Sequence, residues 1–482
     1  MNTRLEHRLR GILRERRGVL PGLPAESNGQ DEACGDSVEP STGPCGPAVT
    51  GCAPAQAHAT AVRDARLRAA AEELGGEVVE AVGGVCIVVE RFYPPDHAHG
   101  LLRIGDVPGR SMACAPELLL LGASPEPEDR DPRPLLFVDL ETTGLAGGAG
   151  TYAFLVGCAF FEPLGFRTRQ FFLPGYQHEK LLLALVEALV RTSSGLVSYN
   201  GKSFDVPMLE TRFQFNRLAP PFNCLGHVDM LHTARRFWRA APAAPGAWPE
   251  SDSCRLSTLE RVLFGVRRIG DVPGFEIPAR YFDFMRSGNA APLEPVLEHN
   301  RLDLLSLACL MHRAVRVLAG APHASTSARE SLGAGRMLER AGHAEVAEHC
   351  YRDAAERALS ERGADTGWTR AEALRLLALR YRRTGRHACA ADAWCTIVRD
   401  RRVPPATRRE ALEALAIHHE HRSKDLEQAR RFAELSLAER VGTHRMEDGR
   451  YRLARLDRKL TRRPADAARE DMAAHTPLLR EF

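Results

Sequence analysis

Among the 12 cysteines no two form a C-x-x-C pair, which argues against a zinc site. The nearest two in the region expected to fold, Cys389 and Cys395, suit a helix interior better than a metal site, so reduced and mostly buried thiols are expected. No run of roughly eighteen apolar residues occurs, which excludes a helical membrane span. Apolar residues at 44% and charged residues at 26% are those of an ordinary soluble protein. The stretch after Met1 has no apolar core and is broken by Arg14, Arg16 and Arg17, so a secretory signal is excluded and a cytoplasmic location is expected. Net charge is also small, at +3. The chain as a whole is therefore no polyelectrolyte binder, and any nucleic-acid contact must come from local basic patches.

At 482 residues the chain is too long for a typical single domain, and two folded modules with irregular segments are expected. Residues 1–75 hold a short amphipathic stretch, Leu5, Leu9, Ile12 and Leu13, followed by a Gly-, Pro-, Ser- and Ala-rich segment, and are expected to be mostly disordered. Residues 76–130 form a β-rich lead-in, with a hairpin turn at Gly83 and Gly84. In 131–320, strands are expected over 135–139, 152–162, 166–173 and 196–200, with a helix in EKLLLALVEALVR and another opening at Phe204. This is the order of a mixed α/β sheet. From 326 to 460 the texture is helical throughout, in three aligned helix pairs whose turns at Gly342, Gly385 and Lys424 recur about every 40 residues, somewhat longer than a tetratricopeptide repeat. Residues 461–482, with Pro464 and Pro477, read as a flexible tail.

Chemistry concentrates in three places. In FVDLETTGL, Asp139 and Glu141 stand one residue apart at a strand end, so alternation turns both to one face and Leu140 to the other. Magnesium takes oxygen ligands in octahedral geometry, and carboxylates placed this way can hold it while leaving room for water and phosphate oxygens. A solvated pair at a strand-to-turn junction has the same local pattern. In SYNGKSFDVPML, Asp205 opens a helix, supported by Pro207 in the first turn, and a capping role accounts for it equally well. In LEHNRLDLLSL, His299 and Asp303 lie four apart and stack on one helix face, as surface His–Asp pairs also do.

Together FVDLETTGL, SYNGKSFDVPMLETRF and HNRLD resemble the three exonuclease motifs of the DnaQ-like (DEDD) branch of the ribonuclease H-like superfamily. The longer agreement, GLAGGAGTYAFLVG, QFFL and the Asn-Gly-Lys-Ser-Phe-Asp run, resembles its YprB-like bacterial members over roughly residues 76–320, and helical repeats after the nuclease-like domain fit that group. The resemblance implies an α/β ribonuclease H-like domain, a mixed five-stranded sheet flanked by helices, followed by an all-α helical-repeat domain. It implies that Asp139, Glu141, Asp205 and Asp303 hold two divalent ions, Mg2+ or Mn2+. Clustering makes that coherent, since two like charges about 4 Å apart repel by on the order of 4 kcal/mol at an effective dielectric of 20. Two ions roughly 3.5 to 4 Å apart suit in-line displacement at phosphorus. The resemblance assigns the proton acceptor to His299, although histidine-type members place it five residues before the last Asp and here the spacing is four. Glu298 is the other candidate.

Thr142 and Thr143 are candidate contacts to a terminal nucleotide, as are Asn200, Lys202 and Phe204 of the second motif, and Phe204 also suits a core position. Arg235 and Arg236, on a helix, suit either phosphate oxygens or a solvated face, and His97 and His99 read as ordinary surface. Arg380, Arg382, Arg383 and Arg386 in the repeats could guide a strand, although such arrays more often bind protein segments, so a protein partner is expected there. The function expected is a metal-dependent 3′–5′ exonuclease acting on single-stranded DNA or RNA. Its rivals are a non-catalytic nucleic-acid-binding protein whose repeats recruit partners, and a structure-specific endonuclease.

Overall fold

The computed structural model describes residues 53–127, 131–144, 150–223, 225–239, 254–363, 366–439 and 448–461. The amphipathic stretch near Leu5 and most of the expected C-terminal tail lie outside the described residues. Strands β1 (Glu77–Ala81), β2 (Gly84–Tyr93), β3 (Leu135–Thr142), β4 (Ala153–Glu162), β5 (Gly165–Phe172), β6 (Gly195–Ser198) and β7 (Gly226–Asp229) make one sheet. It has seven strands in the order β1-β2-β5-β4-β3-β6-β7. The pairings β3–β6 and β6–β7 are parallel and the rest antiparallel.

Strands β3 to β6 fall where strands of the mixed sheet were expected, and β7 makes the fifth. The count of five falls short because the lead-in hairpin, β1 and β2, pairs along β5 instead of standing apart. Its turn runs through Gly83 and Gly84 at φ 114° and 132°, a region open to glycine. Ahead of it, helix α1 (Ala53–Glu73) occupies the last part of the segment expected to be disordered. Alanines read as low complexity in sequence, yet alanine has the highest helix propensity, and Ala70, Ala71 and Leu74 are buried against the sheet.

Strand alternation sorts β3 cleanly. Leu135 and Phe137 enter one core, whereas Leu136 and Val138 enter the other, which Leu140 flanks. Asp139 and Glu141 continue the first face, the one covered by helix α7 (Glu294–Ala319). Helix α2 (Glu179–Arg191) precedes β6, and between β6 and α7 come α3 (Asp205–Phe215), α4 (Met230–Phe237), α5 (Leu256–Phe264) and α6 (Ile277–Ser287). Register places Asp139 opposite Gly157, and Gly157 opposite Gln170, across the middle of the sheet.

Beyond α7 the chain is all helical: α8 (Ala328–Arg340), α9 (Ala344–Ser360), α10 (Thr366–Arg383), α11 (His387–Arg399), α12 (Pro405–His421), α13 (Leu426–Ala438), then helix over 448–461. The anchors of the three aligned turns, Gly342, Gly385 and Lys424, all have positive φ, at 89°, 76° and 55°. That shared geometry ends one helix and reverses the chain into the next. The arginines of the array mostly staple helices together. Arg380 and Arg386 both reach Glu348, and Arg383 reaches Glu339.

Candidate active site

The side chains of Asp139 and Glu141 leave β3 where its pairing shifts, at an irregularity between Glu141 and Thr142. Above them α7 contributes Asn300, whose amide nitrogen donates to the Asp139 carboxylate at 2.8 Å and to its backbone carbonyl at 3.2 Å. The Asn300 carbonyl in turn accepts from Gln170 at 2.8 Å. This fully buried amide fits only because residue 157 is glycine: a Cβ there would stand 2.0 Å from its oxygen.

Asp205 is set by the loop after β6. Asn200 takes φ 66°, and its N–H and that of Lys202 donate to the two oxygens of buried Asp229, at 2.8 and 3.1 Å. Asp229 also caps α4 by accepting from the Leu231 N–H at 3.0 Å. Asp205 then opens α3, with no side-chain cap at its start.

Asp303 and His299 project from one face of α7, with His299 Nε2 3.7 Å from an Asp303 oxygen. His299 Nδ1 lies 2.6 Å from Asp271. An N–H there donating to that carboxylate leaves Nε2 the free acceptor. Arg268 ties the group together: its guanidinium bonds Glu260 at 2.7 and 2.8 Å, bonds Asp303, and approaches Asp271 at 3.4 Å. Glu298 faces elsewhere, bonded to Arg301 at 2.6 Å.

Three of the carboxylates are shifted by burial and by their neighbours. Burial first, then Asp303, Glu141 and Asp205, push Asp139 well above the usual carboxylate range, against the opposing bond from Asn300. Burial, then Asp303, Asp205 and Asp271, do the same to Glu141, with Arg268 opposing. Burial pushes Asp205 up to about 7, its own backbone N–H opposing and Asp229 and Asp303 adding to the rise. Among the described residues no three His, Cys, Asp or Glu side chains stand in the geometry of an assembled metal site. The donor set nevertheless fits a hard divalent ion, being oxygen-only and of one charge sign.

The remaining candidates are placed as follows. The Thr142 hydroxyl donates to the Gly144 carbonyl at 2.9 Å, and Thr143 Oγ1 accepts from the Tyr152 N–H at 2.9 Å, so both hydroxyls shape the turn. Asn200 and Lys202 are engaged through their backbone, and the Lys202 side chain is exposed. Phe204 is 57% exposed, which removes the core reading. Arg235 and Arg236 are exposed on α4. His99 corrects the expectation of ordinary surface: it is buried, 2.8 Å from Ser306, and burial pushes it down to about 4. It belongs to a short strand pair, opposite Leu102, and its ring meets Ser306 of α7. Arg268, Asp271, Gly157, Gln170 and Asn300 were not among the expected site residues, although Gly157, Gln170 and Asn300 lie inside the segments that carry the resemblance.

Residues 136–315 match the RNase_H_2 family of the RNase_H superfamily, which is the class that this sheet and site define. Over 379 residues the chain is 31% identical to YprB of Bacillus subtilis (strain 168), described as an uncharacterized protein, in an alignment covering 78% of this chain and 86% of YprB. The chain belongs to the YprB family. A family B DNA polymerase from the hyperthermophilic archaeon Pyrobaculum calidifontis superposes with a TM-score of 0.30 at 14% identity, over 44% of this chain and 30% of that one.

Proposed function

We propose that this protein is a metal-dependent nuclease that hydrolyses phosphodiester bonds, working as a 3′–5′ exonuclease on single-stranded DNA or RNA. The reading is supported by the charge coupling among Asp139, Glu141, Asp205 and Asp303, which come from three separate segments of a nuclease-type fold. In that reading these four hold two divalent ions, Mg2+ or Mn2+. Bound ions of this kind supply water activation and neutralise charge at the phosphate.

The protein's own groups have distinct jobs. His299 Nε2 accepts the proton of the attacking water, and Asp271 holds the ring so that this nitrogen faces the Asp303 side. Asn300 keeps Asp139 in one rotamer. The turn at Thr142 and Thr143 lies beside the terminal nucleotide, Phe204 offers a stacking face, and Asn200 and Lys202 border the strand. The helical array takes a protein partner.

The test is incubation of end-labelled single-stranded DNA and RNA with the protein, in Mg2+, Mn2+ or chelator, beside Asp139→Ala. Ladders that require metal and disappear in the variant are expected. Metal-independent binding without cleavage would replace this reading with that of a binding protein. Cleavage of closed circles would replace it with an endonuclease.

A further inference from the structure

The segment between α5 and α6, residues 265–276, has an inner and an outer side. Val266 and Val272 are buried, and the Arg268 side chain, only 7% exposed, bonds Glu260 and Asp303. Asp271 reaches His299 at 2.6 Å. These four residues pin the segment to the carboxylate cluster. The residues between and beyond them turn the other way: Ile269 is 98% exposed and Phe275 81% exposed, and neighbouring Arg267 is exposed too. Gly270, at φ 71°, makes the reversal between the outward Ile269 and the inward Asp271. Across the cluster, on the second motif, Phe204 is 57% exposed.

Large apolar side chains held out from an otherwise pinned segment forgo the stabilisation that burial would contribute. Such exposure beside a site marks a surface that a ligand covers. We infer that residues 265–276 are the strand-engaging arm of this site, with Ile269 and Phe275 the surfaces on which bases of a single-stranded nucleic acid rest. The inference builds on the nuclease reading and adds the element that grips the substrate. Two features favour this occupant. The two apolar side chains share one short segment with Arg268 and Asp271, which bond Asp303 and His299, so a polymer held on them lies on the segment that borders the cluster. It also pairs an apolar face with a cation, Arg267, which is how proteins hold single strands without reading their sequence. Only a single strand fits, because a duplex keeps its base faces stacked inside.

The experiment compares wild type, Ile269→Ser/Phe275→Ser and, as a control far along the sheet, Leu164→Ser, another exposed apolar residue. Binding of a short fluorescein-labelled single strand and of its duplex is followed by anisotropy in chelator, and cleavage is followed separately in Mg2+. The double variant is expected to bind the single strand roughly ten- to a hundredfold more weakly, with Leu164→Ser unchanged. Lost binding in the variant, with no cleavage by wild type, would uphold the arm and overturn the nuclease. Unchanged binding with normal cleavage would overturn the arm and leave the nuclease standing. A shift from dimer to monomer in sedimentation, with strand affinity unaltered, would assign the patch to a second copy of this chain and also overturn the inference.

Discussion

At the scale of single residues, the repelled carboxylates link stability to pH. Asp205 has an ordinary value of 3.8 and stands at about 7 in the fold. Between these values the folded state holds more protons than the unfolded state, so Asp205 contributes stability below 3.8 that is lost as pH rises to about 7. Buried His99 and His312 and half-buried His227, pushed down to about 4, act oppositely, weakening the fold as pH falls below 6.5. The informative quantity is therefore a difference. In chelator, the melting temperature of Asp205→Asn minus that of wild type should grow as pH rises from 3.8 to about 7 and then level off. A difference that is flat or shrinks across that range contradicts the clustering, and thermal unfolding at a series of pH values decides it. Asp271 makes a second prediction at this scale. Asp271→Asn should lower turnover by about ten- to a hundredfold, the usual loss when a residue that orients a site group is removed, with little change in strand affinity. Because Asp271 acts through His299, adding it to His299→Ala should cost little more, and independent losses that multiply would refute the coupling.

At the scale of elements, the site depends on how closely α7 can approach the sheet. Asn300 lies directly over Gly157, between Asp139 and Gln170, and it bonds both. Gly157→Ala puts a methyl group 2.0 Å from the Asn300 oxygen, inside the fully buried layer. Overpacking of this kind typically removes about 1 to 3 kcal/mol. Urea unfolding should show a loss of that order, and cleavage should fall with it, since Asn300 can no longer hold Asp139. Wild-type stability in the variant would mean that α7 is free to shift. The same approach explains why the expected strand and helix segments were legible while the contacts were not. The apolar runs of β3 and β4 declare themselves through buried-strand composition. By contrast, Gly157 looks like any strand glycine until the helix 143 residues later is seen to lie on it.

At the scale of the whole molecule, the sheet and the helical array share one core. The cluster that begins at Phe137 and Val197 runs through Leu304, Leu310 and Ala314 of α7 to Leu332, Leu377 and Leu415 of the array. Polar contacts cross the same junction: buried Glu330 accepts from Trp238 Nε1 at 2.9 Å and pairs with Arg313 at 2.7 Å, and Arg329 donates to the Trp238 carbonyl. Gly333 lies so near the end of α4 that a Cβ would stand 2.6 Å from the Arg236 carbonyl. A chain ending at residue 325 would bare the apolar side of α7 to water. Such a truncation should lose cooperative unfolding, expose surface that binds a hydrophobic dye and drop its near-ultraviolet dichroism, as partly packed chains do. A sharp two-state melt would instead show that the nuclease-like part stands alone.

Asp205 and Asp303 were singled out by the resemblance of their motifs, whereas strands β1 to β6, the helix pairs and the pair Asp139 and Glu141 were determined by the amino-acid order alone. Each of these follows from local rules: burial periodicity, turn residues and the one-residue spacing that puts Asp139 and Glu141 on the same face. It also pointed to His299, although the four-residue spacing left Glu298 open. Tertiary structure decided everything that depends on distant segments meeting. It paired the lead-in hairpin with β5, buried His99 against Ser306 of α7, and drew Glu298 away to Arg301. It brought Asp271 and Arg268, which carry no periodic signal, against His299 and Asp303. The physical reason is range. Backbone periodicity acts over a few neighbours and can be read along the chain, whereas the charge, hydrogen bonding and close approach that make a site act between residues the fold alone brings together.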